Sequence, residues 1–418
     1  MPALLLINYA FPPFGGAASR RVTKLVKYLE RAGWRSVVIT SSRINNPLSD
    51  ESLMKDVPPS TEVIRTASLE PVSRSGHGPL LARLRRIMNV PVVPNITALW
   101  AVCAVWPALR AARRHEVAAI VCSAPEFPSF LVGAAVKAWT GLPLVFDYRD
   151  EWSYHPEKMV SIKDSMLKKL KQRLEERLEK NLARRADRII ANTEAFAKMF
   201  TCRLGVAGEK IEVITNGFDP EDFPEKPKER QDKNKTVITH LGSVNHASLF
   251  PPLLIRAMDR AAAESARDVE LRMVGQVYPE LQKTIESMDR KKLGIRFTGF
   301  VPAQKAFELL MESDLNIQVN ELLPGKERYH NLKLFDYLYS QKPLLVYGPR
   351  ESEIAKTAGN SGLARVVEPE DEKALLDFFN IFLQGGFRPV PHHDYIRSFA
   401  WPELAGRTKE LLDELIAT

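Results

Sequence analysis

Two runs of short apolar stretches alternating with longer amphipathic ones, one on each side of a proline- and charge-rich break, limit this chain to very few architectures. Before the break the apolar stretches are Leu4 to Tyr9, Ser36 to Thr40, Ala118 to Ser123, Leu142 to Tyr148, Arg188 to Asn192 and Ile211 to Ile214. Short uncharged runs of this kind read as strands buried on both faces, and the helical stretches between them provide the crossovers that parallel strands require. Between the first two strands, Val22, Leu25, Val26 and Leu29 share one helical face, and Gly33 follows as a natural stop. After the break the pattern restarts with Val237 to Leu241, Glu270 to Val274, Ile295 to Phe297, Leu315 to Val319, Leu344 to Tyr347 and Ala364 to Val367. The predicted fold class is therefore α/β, with two doubly wound parallel-sheet, Rossmann-like domains facing a cleft.

The break runs from Asn216 to Lys235, where Pro220, Pro224 and Pro227 stand among Asp, Glu and Lys with almost no apolar residue after Phe223. Such composition marks a linker. We expect a first domain over 1–217, a linker over 218–235 and a second domain over 236–394. At 418 residues the chain exceeds what one core serves, so two domains agree with its length. Leu404, Leu411, Leu412 and Leu415 lie at helical spacing in the closing segment 395–418.

Three cysteines, Cys103, Cys122 and Cys202, lie too far apart for a disulfide framework or a thiolate metal site, which suits a reducing cytoplasm. The chain opens on the strand-like run Leu4 to Ile7 without a basic stretch and cleavable apolar segment, so secretion is not expected. The net charge of +8 favours anionic partners. Much of that excess lies on helix-like stretches such as Lys168 to Arg185, where Glu175, Glu176 and Glu179 are interspersed, so it reads as a solvated face and not as a nucleic-acid surface. Ile87 to Leu109 carries no charge, but Pro91, Pro94 and Pro107 interrupt it. Leu99, Val102, Cys103, Trp106 and Leu109 then follow the spacing of a one-sided, core-facing helix begun near Thr97. A peripheral role for its Arg and Trp residues at the inner membrane face is the second reading.

The stretch His330 to Gly348, HNLKLFDYLYSQKPLLVYG, carries the most chemistry. A polar turn feeds a helix that sets Lys333 and Asp336 one turn apart, and the helix breaks at Lys342-Pro343 before a buried strand. Amides at a helix start beside a cation and a carboxylate suit a nucleoside diphosphate. An ordinary surface helix with an i,i+3 ion pair fits the same residues. Gly15-Gly16, after the turn Pro12-Pro13, admits backbone amides close to a phosphate or sugar, or serves simply as a turn. It is not a G-x-G-x-x-G loop, and no acid follows the second strand as a dinucleotide site requires.

The His330 to Gly348 segment resembles the K-L-F-E-Y-L-x-x-G-K-P signature of the retaining glycosyltransferases of family 4, two-domain enzymes of the GT-B fold. The resemblance continues through NYAFPPFGG (Asn8 to Gly16), FDYRDEW (Phe146 to Trp152), DRIIANT (Asp187 to Thr193), ITNGFD (Ile214 to Asp219), Gly275 and Thr298 to Val301. It implies a glycosyltransferase that moves a sugar from a nucleotide-sugar donor to a glycan or lipid-linked acceptor in surface polysaccharide biosynthesis. It implies a donor site built from Gly15, Gly16, Phe300, Val301, Asn331, Lys333 and Asp336, to which the loop Pro324 to Arg328 adds Lys326 and Arg328 as the nearest cations. Phe300 and Val301 would meet the base, Asp336 the ribose hydroxyls, and Lys326 to Lys333 the diphosphate. The closing helix is implied to cross back onto the first domain. Arg149 and Asp150, at the end of a strand with Trp152 and projecting into the cleft, resemble the family's catalytic loop. Asp150 would orient or deprotonate an acceptor hydroxyl and Arg149 would hold an acidic group or a diphosphate; a local salt bridge is the alternative.

Three departures qualify this picture. Asp336 stands where the family has Glu, Arg328 stands where it often has a second Glu, and the loop Ser243 to Pro252 lacks its usual Arg and Lys, leaving His246 as the one ionisable residue. Glu321 or Glu327 is the nearest substitute for the missing acid. No Asp-x-Asp pair occurs and His392-His393 has no companion ligands, so neither a metal nor another cofactor is expected. The rival readings are a sugar-nucleotide epimerase of the same fold and a non-catalytic scaffold that has lost donor chemistry.

Overall fold

The computed structural model describes residues 1–44, 50–69, 95–156, 158, 166–224, 232, 234–244 and 250–417. The chain forms two compact units, Met1–Thr215 with Trp401–Thr418, and Asn216–Ala400.

In the first unit the elements run β1 (Ala3–Ile7), α1 (Ala17–Arg31), β2 (Arg35–Ser41), β3 (Glu62–Thr66), α2 (Ala98–Arg114), β4 (Val117–Ala124), α3 (Pro128–Thr140), β5 (Leu144–Tyr148), α4 (Met166–Arg185), β6 (Arg188–Ala191), α5 (Glu194–Met199) and β7 (Ile211–Val213). The strands are parallel in the order β3-β2-β1-β4-β5-β6-β7. The winding reverses between β1 and β4, and at such a reversal the carboxyl ends of neighbouring strands part to leave a crevice. The anticipated face of α1, Val22, Leu25, Val26 and Leu29, is buried against β1 and β2. The closing helix, Trp401–Ala417, adds Trp401, Leu404, Leu411 and Leu412 to the same core, and Trp34 Nε1 donates to Asp413 at 2.9 Å.

In the second unit the order is β8 (Lys235–Leu241), α6 (Pro252–Glu264), β9 (Asp268–Val274), α7 (Pro279–Glu286), β10 (Leu293–Phe297), α8 (Ala303–Met311), β11 (Leu315–Val319), α9 (Leu332–Ser340), β12 (Leu344–Tyr347), α10 (Glu353–Asn360), β13 (Ala364–Val367), α11 (Glu372–Leu383) and α12 (His393–Arg397). Its parallel sheet has the order β10-β9-β8-β11-β12-β13. The two-residue strand period splits β12 between two cores: Leu345 and Tyr347 pack with Phe378 and Phe379, whereas Leu344 and Val346 pack with Leu334 and Phe335.

Four expectations are corrected. Strand β3 was not anticipated because it lies at the sheet edge and its two aliphatic residues, Val63 and Ile64, are only half-buried. Helix α2 begins after Thr97 as expected, but it buries Trp100, Ala101, Ala104, Ala108 and Ala111, while Val102 and Trp106 are 69% and 70% exposed. Alanines let this helix approach α3 closely, so small size outweighed hydrophobicity in choosing the buried face. Within the stretch read as a linker, Phe223 packs 4.4 Å from Phe307 and 4.1 Å from Tyr339, centroid to centroid. The return to the first unit comes at Trp401 and not at 395, because Ile396, Phe399 and Ala400 are buried in the second unit's core. The prolines at 91, 94 and 227 and residue His246 lie outside the described residues. No helix among the described residues is long and apolar enough to cross a membrane.

Candidate functional site

Helix α9 starts where Asn331, in extended conformation, turns its side chain back to accept from the Leu334 amide at 3.0 Å. It ends at Gln341, whose φ of 51° is left-handed, just before Lys342-Pro343. Leu334, Phe335, Tyr337 and Leu338 are buried, and the Tyr337 hydroxyl ties the helix to the sheet by donating to Ile317 O at 3.0 Å and accepting from Leu241 N at 2.8 Å. The helix is thereby fixed over the carboxyl ends of β8 and β11.

Lys333, in its first turn, extends toward β8. Its Nζ lies 3.5 Å from Nε2 of His240, and its stem crosses Gly242, where a Cβ would sit 3.5 Å from Lys333 Cδ. The backbones after β8 and β9 meet here as well: a Cβ on Gly275, whose φ is 128°, would lie 2.7 Å from the Gly242 carbonyl carbon. His240 is 1% exposed and its Nδ1 faces Ile317 O at 3.2 Å, so that nitrogen donates and Nε2 is left as an acceptor. Burial, with the Lys333 charge as a smaller cause, holds His240 well below its ordinary pKa, so it is neutral. Burial also pushes the Lys333 ammonium down to about 8. No carboxylate pairs with Lys333 among the described residues.

Other members of the expected donor site stand differently. Asp336 is 3% exposed, so the expectation of a carboxylate open to a ribose is corrected: flanked by the buried Phe335 and Tyr337 and one methylene shorter than Glu, it stays within the protein. Lys326 lies 3.6 Å from Glu321 and 5.2 Å over the Tyr329 ring, and Arg328 lies 3.4 Å from Glu327. Both loop cations therefore already face carboxylates from their own loop, the same two acids considered as substitutes for the missing Glu. Phe300 is 84% exposed, whereas Val301 is half-buried against the second core.

In the first unit, Gly16 caps α1 with a φ of 96°, and no side chain caps this helix nor does any acid occupy its first turn. Gly15 precedes it in the same loop. Asp147, on β5, accepts Arg21 Nε at 3.1 Å, Arg21 Nη2 at 2.9 Å and the Ser123 hydroxyl at 2.7 Å. Arg21 Nη1 completes the arrangement at Thr215 O, 2.7 Å away. Asp150 follows β5 half-buried, but Arg149 is 7% exposed, and Trp152, expected to project from the strand end, is a core residue stacked on Phe127 at 5.0 Å. Its large apolar area outweighs its place beside polar residues. His240 and the Arg21–Asp147 pair were missed in the sequence because neither belongs to a local motif; each is assembled from elements far apart in the chain.

The chain matches the model of "Glycosyltransferase Family 4" over residues 14–222. Among solved structures it is similar to Anabaena HepE in complex with UDP, at 18% identity, covering 99% of this chain and 100% of that one with a TM-score of 0.64. It is also similar to the sucrose-phosphate synthase of Thermosynechococcus elongatus, at 14% identity, 100% coverage of both chains and a TM-score of 0.61. A glycosyltransferase of Rickettsia africae matches at 13% identity, 99% and 98% coverage and a TM-score of 0.60. These likenesses establish the GT-B fold for the two parallel α/β units. No curated protein matches the sequence.

Proposed function

We propose that this chain, which belongs to glycosyltransferase family 4, moves a sugar from a nucleoside diphosphate sugar to a glycan or lipid-linked glycan acceptor, with retention at the anomeric carbon. The observation that carries this reading is Lys333: a half-buried ammonium at a helix start, beside a neutral imidazole and two closely packed glycine turns, with no acid paired to it among the described residues. Holding the charge there forfeits hydration that bulk water would supply, which is why its pKa falls. A diphosphate arriving at the amides of α9 offsets that loss and neutralises charge developing on the leaving group. Lys333 thus answers the absence of the family's usual Arg and Lys in the Ser243 to Pro252 loop.

Around that anchor, Asn331 orders the helix start, Lys326 and Arg328 border it, and Phe300 and Val301 offer a platform for the base; within the first unit, the amides at Gly15 and Gly16 are open to a phosphate or sugar. Asp150 orients the acceptor hydroxyl, and no metal takes part. A surface-polysaccharide acceptor and attachment to the inner membrane face belong to the same proposal, the latter supported by the exposed Trp106 near Arg110 and Arg113 on α2. The burial of Asp336 favours a second reading, a scaffold that no longer binds donor.

Thermal shift with UDP, GDP, CDP and ADP separates the two. HepE is solved with UDP, which makes UDP the first probe. At least one nucleotide is expected to stabilise the wild type, and Lys333→Met should shrink that shift without lowering the unliganded Tm. No shift with any nucleotide removes the transferase reading.

A further inference from the structure

Arg149 poses a problem that the first unit does not solve internally. Its side chain is 7% exposed, yet Nε and Nη1 have no hydrogen-bond partner among the described residues. The acids nearest in charge do not satisfy it. Asp147 is two residues back on β5 and so projects to the same side, but its oxygens are taken by Arg21 and Ser123. Asp150 acts on it through space but is not within ion-pair distance. Burial pulls the guanidinium below its ordinary pKa, and the charge of Arg21 works in the same sense. A guanidinium nevertheless stays protonated, so this is a positive charge held in the protein with two donors unused.

A second unused donor stands at the same level of the sheet. Ile7 pairs with Cys122 and Ser123 pairs with Asp147, which puts Asn8 in line with Ser123 and Asp147 at the carboxyl edge. Asn8 is 1% exposed; its Oδ1 accepts from Ala10 N at 2.9 Å, while its Nδ2 has no acceptor among the described residues. Both orphaned groups are donors: Asn8 follows β1, at the reversal of strand order between β1 and β4 where parallel sheets open to ligands, and Arg149 follows β5, the next strand beyond β4.

We propose that Arg149 is the oxyanion receptor of the first unit, taking a phosphate or carboxylate oxygen of a bound substrate through Nε–H and Nη1–H, with Asn8 Nδ2 as an accompanying donor. This rests on the transferase reading, in which such an oxygen belongs either to the donor diphosphate or to an anionic group on a lipid-linked acceptor.

The test uses the full chain with Arg149→Met and Arg149→Lys, and two kinds of probe: the nucleoside diphosphate that stabilises the wild type, and farnesyl diphosphate, a lipid diphosphate without a nucleoside. Arg149→Met removes an unpaired buried charge, so its unliganded Tm should equal or exceed that of the wild type while its affinity for one probe falls at least tenfold. Loss confined to the nucleotide assigns the donor, and loss confined to farnesyl diphosphate assigns the acceptor. Undiminished affinity for both, or a lower unliganded Tm, makes Arg149 a structural residue and overturns the proposal. Arg149→Lys keeps the charge and loses the planar fork, and unchanged affinity for both probes in that variant has the same consequence. A wild type that binds neither probe removes the underlying transferase reading as well, whereas wild-type binding that Arg149→Met leaves intact removes this inference alone.

Discussion

Arg21 and Arg149 lie on the same side of one sheet and end in opposite states. Arg21, from α1, is 3% exposed and spends its donors on Asp147, Ile214 O and Thr215 O. Arg149, from the end of β5, is buried almost as deeply and leaves two donors unpaired. The second unit repeats the contrast, since Arg272 is held by Glu270 and Glu312 while Lys333 faces only a neutral histidine. Cations that meet acids hold the folds together. Cations buried without them are costs the fold tolerates, and such costs persist where a ligand recovers them.

The largest effect expected from this contrast is at Arg21. Arg21→Met leaves Asp147 buried with only Ser123 as donor and should cost about 3–5 kcal/mol in chemical denaturation, against no loss for Arg149→Met. Equal losses in the two variants would break the comparison.

Glu179 sharpens it from the side of the acids. Burial raises its pKa to about 7 despite hydrogen bonds from the Ser153 amide, at 3.0 Å, and the Ser153 hydroxyl. The folded state therefore holds a proton that the unfolded chain releases near pH 4.5, and stability falls as pH rises from about 4.5 to 7, by roughly 3 kcal/mol in all. Glu179→Gln should flatten that decline in urea melts, and the same slope in both proteins would show that Glu179 titrates normally.

The smallest effect concerns affinity. Free Lys333 loses its proton near pH 8, and a bound diphosphate favours the protonated form. Nucleoside diphosphate affinity should fall roughly five- to tenfold from pH 8 to 9, by calorimetry, and Lys333→Met should show no such slope. A pH-independent wild type would mean that this ammonium does not meet the phosphates.

Much of the fold was legible because burial on both faces leaves a mark in the chain itself. Leu315–Val319, Leu344–Tyr347 and Ala364–Val367 were read to the residue, being uncharged or nearly so and bounded by turns. The edge strand Glu62–Thr66 was not, since half of it meets solvent. The stripe Val102 and Trp106 was assigned inward on hydrophobicity and found outward, because close approach of α2 to α3 selects alanine. At the site, Lys333 and the capping Asn331 could be found from the helix-start pattern, but His240, supplied by a strand 93 positions away, could not.

The alternation of the central strands and helices and the family were determined by the sequence alone, because alternation and turn chemistry are local and survive without knowledge of neighbours. Which polar groups are satisfied was decided only in three dimensions: that Asp147 is already taken when Arg149 reaches the same side, that Asp336 lies under cover, and that Lys333 meets an imidazole and no acid. Electrostatic cost depends on solvent exclusion and on partners distant in sequence, and neither is written in any short stretch of residues.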